Sequence, residues 1–493
     1  MSDAEGARGG GAGEAAHEWG GAERGRGALR AFLLRGAGAT SAFMANASGA
    51  PALQLTLRDF KAETIRGTTG YFRVGQTRAG TWWFIDPAEQ GFFSRGVNAI
   101  NRTGSTGGRA AKPGAYAAAV DALHGTQEPQ VFVETVLVRL NAWRCNTLGA
   151  WTTPEFFDRG TAFLELLDFR GAAPETTIKL AGANVPDVFD PRWVDACERR
   201  AEERCGPRAL SRDLIGYFTD NEPGWAQPSG ETGITDGASG RVERPSLLQI
   251  CLSLEPSFPA YHAAWEFTLA AHGGELATMA RAWGSVLPNK EALRQLTLAD
   301  TALLSAGYLR DHERFTREFA RRYFTVTGAA IRRHDPHHLI LGCRFGGGPA
   351  AAILAECVAP NVDVLSLNPD YDAPLEGVEA CHRAHGMPVL LGEFGWTDDA
   401  FTRRPRADEP RGQTTVERML ARGRAGLEQV IAHPAVVGYA WPRWADRAEQ
   451  QPPFGEGLVH IDDREAREHT ELLTDINDRV AVLRLAFNDF VKP

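Results

Sequence analysis

The sequence has little that would support binding to membranes or nucleic acid. No run of 18 apolar residues occurs among its 493 residues, so no segment is long and apolar enough to form a transmembrane helix. Only five of its 53 basic residues are lysine, and the formal net charge is −9, so the overall field repels nucleic acid and anionic lipid. We therefore expect neither a nucleic acid nor a membrane as a partner; the oligomeric state stays open.

Cysteine is scarce as well. The seven cysteines are scattered, their number is odd, and no Cys-x-x-Cys pair occurs. This pattern argues against a disulfide framework and a zinc ribbon, and it favours isolated thiols.

The first 50 residues differ in composition from the rest. Glycine and alanine occupy 26 of these positions, so the segment cannot bury enough apolar surface to offset its ordering entropy, and we expect it to be disordered. Residues 26–50 loosely resemble a signal peptide, although Arg35 interrupts the apolar region. The sequence slightly favours a cytoplasmic location and leaves a secreted or periplasmic one open. The folded domain is expected to span residues 51–493.

Short apolar runs alternate with amphipathic stretches along that domain. A β-hairpin is predicted first, with strands at 71–76 and 81–86 around a glycine turn. Eight apolar runs follow, at 92–99, 145–150, 163–168, 214–219, 339–344, 362–367, 389–393 and 436–441. Such alternation favours a parallel sheet covered by helices, and eight units predict an α/β fold of the (β/α)8 TIM barrel type. A doubly wound open sheet is the alternative.

One gap between the apolar runs is unusually long. The chain from Asn221 to His338 contains a polar, glycine-rich section and at least two helical patterns, one of them near 260–272. Because this stretch has no strand pattern of its own, we expect a long loop insertion after the fourth strand, lying over the barrel mouth.

Two glutamates follow apolar strands in a way that suggests chemistry. Glu222 comes directly after the fourth predicted strand and Glu393 closes the seventh, and active sites of such barrels lie where the strands end. A single glutamate at such a position is usually a solvated loop residue. Two of them facing one pocket match a retaining glycosidase, whose nucleophile and acid/base carboxyl groups stand about 5–5.5 Å apart.

Polar and aromatic residues near the same strand ends are candidates for substrate binding. Asn221 is expected to hold a sugar 2-hydroxyl, and Tyr371 to donate a hydrogen bond to Glu393. Five tryptophans just past strand ends are candidates for stacking on sugar faces: Trp151, Trp225, Trp396, Trp441 and Trp444. The alternative for these rings is a place in the core.

Other motifs give no support to metal or cofactor chemistry. His334, Asp335, His337 and His338 resemble a metal cluster, but they precede the fifth strand, at the barrel end opposite the mouth. No Gly-x-Gly-x-x-Gly follows the first strand, and no Gly-x-Ser-x-Gly elbow occurs. We expect no metal and no cofactor.

The glutamate motifs occur together with further segments that resemble a known family. These segments are 81–87, 92–97, 146–151, 186–191, 216–222, 338–345, 392–394, 438–441 and 443–446. With Asn221-Glu222 on the fourth strand and Glu393 on the seventh, the chain resembles the clan A glycoside hydrolases, and within them the beta-agarase family, glycoside hydrolase family 50. The resemblance covers about residues 70–485. It implies that Glu222 is the acid/base and Glu393 the nucleophile, roles that the spacing alone leaves open.

The expected function is therefore a retaining, beta-agarase-like glycoside hydrolase acting on β-glycosidic bonds of a galactose-containing oligo- or polysaccharide. The alternatives are an exo-acting β-galactosidase or β-glucanase of the same clan, or a carbohydrate-binding protein without catalysis. Retention of two glutamates beside Asn221 argues against the last, because a pure binder needs no matched acid and nucleophile.

Overall fold

The computed structural model describes most of the folded domain. The described residues are 55–105, 114–126, 129–180, 183–223, 246–295, 305–346, 350–397, 412–447 and 454–484. They all belong to one compact unit, Gln54–Pro493. The predicted disordered segment 1–50 and the candidate Trp225 lie outside the described residues.

A small antiparallel sheet opens the domain. Its strands are β1 (Arg73–Gln76), β2 (Trp82–Ile85) and β3 (Gly91–Phe92), paired in that order. The predicted hairpin is confirmed. The run at 92–99, predicted as one strand, is divided: Phe92 ends β3, and a new strand, β4 (Ser94–Val97), begins two residues later in a different sheet.

Eight parallel strands close into a barrel, as predicted, and an open sheet is excluded. After β4 the barrel strands are β5 (Thr147–Leu148), β6 (Ala162–Leu166), β9 (Leu214–Asn221), β10 (Leu339–Phe345), β11 (Leu365–Leu367), β12 (Val389–Leu391) and β13 (Val436–Trp441). Sequential strands are neighbours, and β13 pairs with β4 to close the ring. Two pairs lie outside the barrel: β7 (Thr177–Ile178) with β8 (Val185–Pro186), and β14 (Arg443–Ala445) with β15 (Gly457–Val459).

Helices follow most of the barrel strands. They are α1 (Ala115–His124), α2 (Pro129–Ala142), α3 (Pro191–Arg204), α4 (Leu247–Ser253), α5 (Pro259–Ala271), α6 (Leu276–Trp283), α7 (Lys290–Arg294), α8 (Ala306–His334), α9 (Ala351–Ile353, running into a π-helical turn Leu354–Val358), α10 (Pro374–His385), α11 (Thr415–Ala432) and α12 (Arg467–Asp478). Short 3-10 turns lie at Leu57–Asp59, Ala62–Thr64, Pro154–Phe156, Phe169–Ala172, Pro174–Thr176 and Gly206–Arg208. No helix of the described chain is long and apolar enough to cross a bilayer.

Side-chain caps fix where several of these helices begin. The Ser305 hydroxyl accepts a hydrogen bond from the N–H of Tyr308 at the start of α8. Thr414 and Glu417 form a reciprocal capping box at the start of α11. Each cap satisfies backbone N–H groups that have no partner inside the helix, which typically contributes about 1 kcal/mol.

The small sheet packs against the amino-terminal end of the barrel and closes it. Buried side chains of the sheet, including Val74, Trp82 and Phe84, form one apolar cluster with barrel residues such as Leu339 and Leu390. Burying each such side chain stabilises the fold by roughly 1.5–3 kcal/mol. This end of the barrel is therefore a packed core, and the carboxyl-terminal end is left for chemistry.

A buried arginine strengthens that closure. Arg484 donates hydrogen bonds to the carbonyl oxygens of Ile431 at 2.8 Å and Trp82 at 2.5 Å, and its guanidinium lies 4.4 Å from the centre of the Trp83 ring. Burial lowers the pKa of Arg484 to about 9. Its acceptors are neutral carbonyls, so it links the end of the described chain to the first sheet without an ion pair.

The insertion after the fourth strand is helical where the structure describes it. Residues 246–295 form α4 to α7 and contain no strand, in line with the sequence pattern. These helices pack against the first part of α8: Trp283 donates to Asp311 at 2.8 Å, and the Phe267 and Phe315 rings lie 5.7 Å apart. In a barrel, the helix after a strand begins at the carboxyl-terminal end. The described part of the insertion thus flanks the mouth side of the barrel beside α8.

The seam between β9 and β10 leads to a testable prediction about packing. A Cβ atom at Gly216 would lie 2.2 Å from the Leu339 carbonyl oxygen, which belongs to the backbone of the neighbouring strand. Gly216→Ala therefore forces the two strands apart, and we expect it to lower the free energy of unfolding by roughly 1–3 kcal/mol in denaturant titrations. Gly206→Ala is the matched control, because its Cβ would meet open space. Equal stability of the two variants would contradict this packing.

Candidate active site

The two predicted catalytic glutamates stand at the same end of the barrel. Glu222 follows Asn221, the last residue of β9, and Glu393 lies two residues beyond the end of β12. Because all barrel strands are parallel, both positions belong to the carboxyl-terminal rim. Glu222 is exposed, whereas the Glu393 side chain is 22% exposed.

A buried arginine connects the nucleophile candidate to the fourth strand. Arg344, next to the last residue of β10, is fully buried. One of its terminal nitrogens donates to Oδ1 of Asn221 at 3.0 Å, and the other donates to Glu393 at 2.9 Å and to the Gly392 carbonyl at 2.6 Å. A single guanidinium on β10 thus links the carboxyl-terminal ends of β9 and β12.

An asparagine completes the connection to the other glutamate. Asn368 directly follows β11, and its Nδ2 donates to Glu222 at 3.0 Å and to Oδ1 of Asn221 at 3.2 Å. A continuous chain of hydrogen bonds therefore runs from Glu222 through Asn368, Asn221 and Arg344 to Glu393. We call these five residues the glutamate network. It brings together three of the residues that the sequence indicated and two that it did not.

The sequence contained a weak signal for the two added residues. Arg344 and Asn368 each stand at the end of a predicted strand, where barrel sites form. Asn98, at the end of the first strand, has the same kind of position: its Nδ2 donates to the Gly392 carbonyl at 2.8 Å, and its Oδ1 accepts from the Ala150 N–H at 2.9 Å. A search of all eight strand ends for polar residues would have found all three.

The electrostatics of Glu393 reflect competing influences. Burial raises its pKa, and the nearby charges of Glu222 and Glu456 raise it further, whereas the Arg344 guanidinium lowers it. Burial also lowers the pKa of Arg344, and both glutamates of the network oppose that effect. The arginine is therefore the one group named here that favours an ionised Glu393.

Backbone strain accompanies the site. Glu222 has φ +45° and Trp151, just past β5, has φ +60°, a region that residues other than glycine rarely adopt. The N–H of Glu222 donates to the Arg344 carbonyl at 2.8 Å, which holds this turn in place. Such strained residues persist where the surrounding structure over-determines them, which is typical of functional sites.

The four described tryptophan candidates fall into two groups. Trp151 is half-buried, and the Arg344 guanidinium carbon lies 4.5 Å from its ring centre, so this ring belongs to the site. Trp396, Trp441 and Trp444 are at most 1% exposed. In this conformation they present no face to a sugar, and the alternative placement of these rings in the core describes them better.

Hydrogen bonds fix the buried rings. Trp396 and Trp441 pack edge to face at 4.6 Å, and Trp396 donates to His469 of α12 at 3.1 Å. Trp441 donates to the backbone carbonyl of Glu456 at 2.7 Å. This contact holds the segment that carries the Glu456 carboxylate close to the mouth. Trp444 donates to the Tyr116 hydroxyl at 2.7 Å. These tryptophans support the wall of the site.

Tyr371 lies near the network. Its ring packs against Phe394 at 5.9 Å, and it interacts electrostatically with Arg344. The predicted hydrogen bond from Tyr371 to Glu393 stays a prediction.

The histidine-rich group at the other end of the barrel has structural partners. His338 contacts Asp335 at 2.6 Å and the Ser211 carbonyl at 2.7 Å, and His334 contacts Glu198 at 2.7 Å. Within the part of the chain that the structure describes, no group of three His, Cys, Asp or Glu side chains is arranged to hold a metal ion.

A buried carboxyl group supports the strand that carries Asn221 and Glu222. Asp220 accepts a hydrogen bond from the Arg170 N–H at 3.0 Å and another from the Tyr323 hydroxyl. Burial, aided by the charge of Asp168, raises the pKa of Asp220 to about 7. The carboxyl group therefore anchors the end of β9, and its raised pKa means that burial disfavours its ionised form.

Together, the fold and the site define a (β/α)8 barrel protein with a paired-glutamate site at the carboxyl ends of its strands. The chain is similar to beta-agarase A of Vibrio sp. (strain JT0107): 23% of 442 aligned residues are identical, covering 78% of this chain and 42% of that protein. The chain thus spans less than half the length of this curated relative. No family model matches the sequence.

Solved structures show the same fold. A structure described as that of an exo-beta-agarase superimposes with a TM-score of 0.66 at 20% identity, covering 86% of this chain and 66% of that one. The agarase AgWH50C also gives 0.66, at 19% identity, covering 96% of this chain and 72% of that one. The barrel and its surroundings are therefore shared with agarase structures.

The raised pKa of Asp220 predicts a pH-dependent stability. Between its ordinary value, 3.8, and about 7, the unfolded chain releases this proton while the folded chain retains it. The free energy of unfolding should therefore fall as pH rises through this window, by up to about 1.4 kcal/mol per pH unit from this group. Asp220→Asn removes the titration, so its stability relative to the wild type should increase from pH 5 to pH 7 in urea denaturation. The exposed Asp195→Asn is the control, and a pH-independent difference for Asp220→Asn would contradict the prediction.

Proposed function

We propose that the protein is a retaining glycoside hydrolase that cleaves β-glycosidic bonds in a galactose-containing oligo- or polysaccharide, in the manner of a beta-agarase. The observation that carries this proposal is the glutamate network, which joins two glutamates at the barrel mouth through side chains from four strands. The similarity to beta-agarase A supports the substrate class.

Glu393 has the contacts expected of the nucleophile. Its carboxyl group accepts a hydrogen bond from a guanidinium, which can only donate and which stays protonated, so the contact favours the ionised form. The side chain is also mostly buried, which limits competition from water. An ionised, fixed carboxylate is what attack on an anomeric carbon requires.

Glu222 has the contacts expected of the acid/base. Its one described hydrogen-bond donor is the neutral amide of Asn368, which tolerates either a charged or a protonated carboxyl group. Glu222 is exposed, so it can exchange its proton with solvent. A group that gives a proton in the first step and takes one from water in the second needs both properties.

Double displacement then follows from the two roles. Glu393 attacks the anomeric carbon while Glu222 protonates the departing oxygen, and a covalent glycosyl-enzyme forms. Glu222 next removes a proton from water, which attacks the same carbon and releases Glu393, so the product keeps the β configuration. Asn221 accepts both of its described hydrogen bonds on Oδ1, which leaves Nδ2 available for the sugar 2-hydroxyl.

The substrate class and the stereochemistry can be tested together. We expect the protein to release sugar from agar-derived oligosaccharides, and proton NMR of the first product should show the β-anomer before mutarotation. Aryl β-galactosides and aryl β-glucosides in the same panel distinguish an exo-acting β-galactosidase or β-glucanase. The α-anomer as first product would exclude double displacement, and binding without hydrolysis of any glycoside would favour a carbohydrate-binding protein.

Azide rescue separates the roles of the two glutamates. With an activated aryl glycoside, Glu222→Ala should still form the glycosyl-enzyme but hydrolyse it slowly, by a factor of about 10²–10⁴. Azide needs no base, so it should restore turnover and give the β-glycosyl azide. Glu393→Ala lacks the nucleophile, so azide entering its place should give the α-glycosyl azide.

A third carboxylate provides the control for this experiment. Glu456 influences Glu393 electrostatically and pairs with Arg447 at 3.1 Å. Glu456→Ala should show no azide rescue. Exchanged azide products for Glu222→Ala and Glu393→Ala would reverse their roles, and near wild-type rates for both would remove them from catalysis.

A further inference from the structure

We propose that Arg344 is a positioning residue of this reaction: it keeps Glu393 ionised and orients Asn221, and Gly392 leaves the space that this arrangement needs. The inference rests on the proposed function, because it assigns the nucleophile to Glu393. It adds a residue that acts on the substrate through two others, the proposed nucleophile Glu393 and the proposed substrate-binding residue Asn221.

A lysine could not reproduce the hydrogen bonds of Arg344. Its two terminal nitrogens reach Asn221 on one strand and Glu393 with the Gly392 carbonyl on another. A lysine ammonium presents a point charge on a flexible stem, whereas the planar guanidinium fixes the direction of each donor. The arginine therefore sets the distance and angle between the two acceptors as well as supplying charge.

Aromatic rings hold the guanidinium in place. Its central carbon lies 4.5 Å from the Trp151 ring centre and 5.5 Å from that of Phe218. Such cation–π contacts are stronger when the cation is desolvated, and Arg344 is fully buried. A substrate that reaches Glu393 thus meets a carboxylate whose counter-ion cannot swing away.

The residue before the nucleophile is small because the arginine needs its space. A Cβ atom at Gly392 would lie 2.7 Å from Nε of Arg344, 2.6 Å from Oδ1 of Asn368 and 3.0 Å from the Ser366 hydroxyl. All three of these atoms are buried and have no hydrogen-bond partner among the described residues. A methyl group there would displace the guanidinium or the amide, and both belong to the glutamate network.

The charges around Glu393 make its ionisation depend on this arginine. Glu222 on the β9 side and Glu456 on the segment before β15 both repel an ionised Glu393, and burial acts in the same direction. Tyr371, beyond β11, and both glutamates of the network face Arg344. Removing the arginine leaves the repulsion and the burial unopposed, so the pKa of Glu393 should rise.

The test is the pH dependence of kcat/KM for an activated aryl glycoside. Loss of an opposite charge within hydrogen-bond distance typically moves a carboxyl pKa by about 1–3 units. In Arg344→Met the acidic limb of the profile should move to higher pH by at least about one unit. Arg344→Lys should move the acidic limb less, because lysine keeps the positive charge but lacks the planar guanidinium. Gly392→Ala, which displaces the guanidinium by sterics alone, should move it in the same direction.

Arg484 supplies the matched control. It is also a buried arginine stacked on a tryptophan, but it lies at the opposite end of the barrel among carbonyl acceptors. Arg484→Lys should lower the unfolding temperature and leave the acidic limb unchanged. This separates the general effect of losing a buried guanidinium from a specific effect on Glu393.

The outcomes distinguish this inference from the proposed function. An unchanged acidic limb in Arg344→Met, or a uniform loss of activity at every pH, overturns the positioning role while wild-type turnover and azide products stand. If Arg344→Met does not fold, the acidic limbs of Arg344→Lys and Gly392→Ala provide the test, and unchanged limbs in both overturn the positioning role. Absence of hydrolysis in the wild type, by contrast, refutes the proposed function itself.

Discussion

A guanidinium buried at the mouth of the barrel is the constraint on which the site depends. An ion removed from water needs acceptors, and Arg344 finds them at the end of the neighbouring strand β9 and just beyond β12, which lies two strands away. Its hydrogen bonds to Asn221 and Glu393, extended through Asn368 to Glu222, hold the four side chains relative to one another. The strained turn at Glu222 belongs to the same arrangement, because its N–H bonds the carbonyl of that arginine.

The two buried arginines, Arg484 and Arg344, differ in their partners and therefore in what they contribute to the barrel. Arg484 is satisfied by carbonyl oxygens, and burial lowers its pKa to about 9 because no anion compensates for the lost water. Arg344 is buried too, but carboxylates face it. At the end of the barrel closed by the small sheet, the buried arginine is held by neutral carbonyl groups. At the open end, the buried arginine faces carboxylates, so its charge can influence a reacting group.

Most of the fold was accessible from the sequence, because each barrel strand is a short apolar run that ends in polar residues. The same pattern located Glu222 and Glu393. It missed β3, since the run at 92–99 was interpreted as one strand and the change of pairing partner divides it. It also missed the role of Arg344: an arginine at a strand end is normally solvated, and its burial depends on acceptors that are distant in sequence. Likewise, Trp396 and Trp444 are buried by His469 and Tyr116, partners more than 70 residues away that no local pattern connects to them.

The unequal exposure of the two glutamates suits what each does with protons in the proposed mechanism. In double displacement the acid/base passes a proton in both steps, so it gains from contact with solvent and from a neutral partner that does not fix its charge. The nucleophile transfers none, and a proton on it would stop the reaction. Burial alone would favour that proton, since it raises the pKa of Glu393. A buried nucleophile beside a second carboxylate therefore benefits from a fixed cation, and in this barrel the buried Arg344 occupies that position.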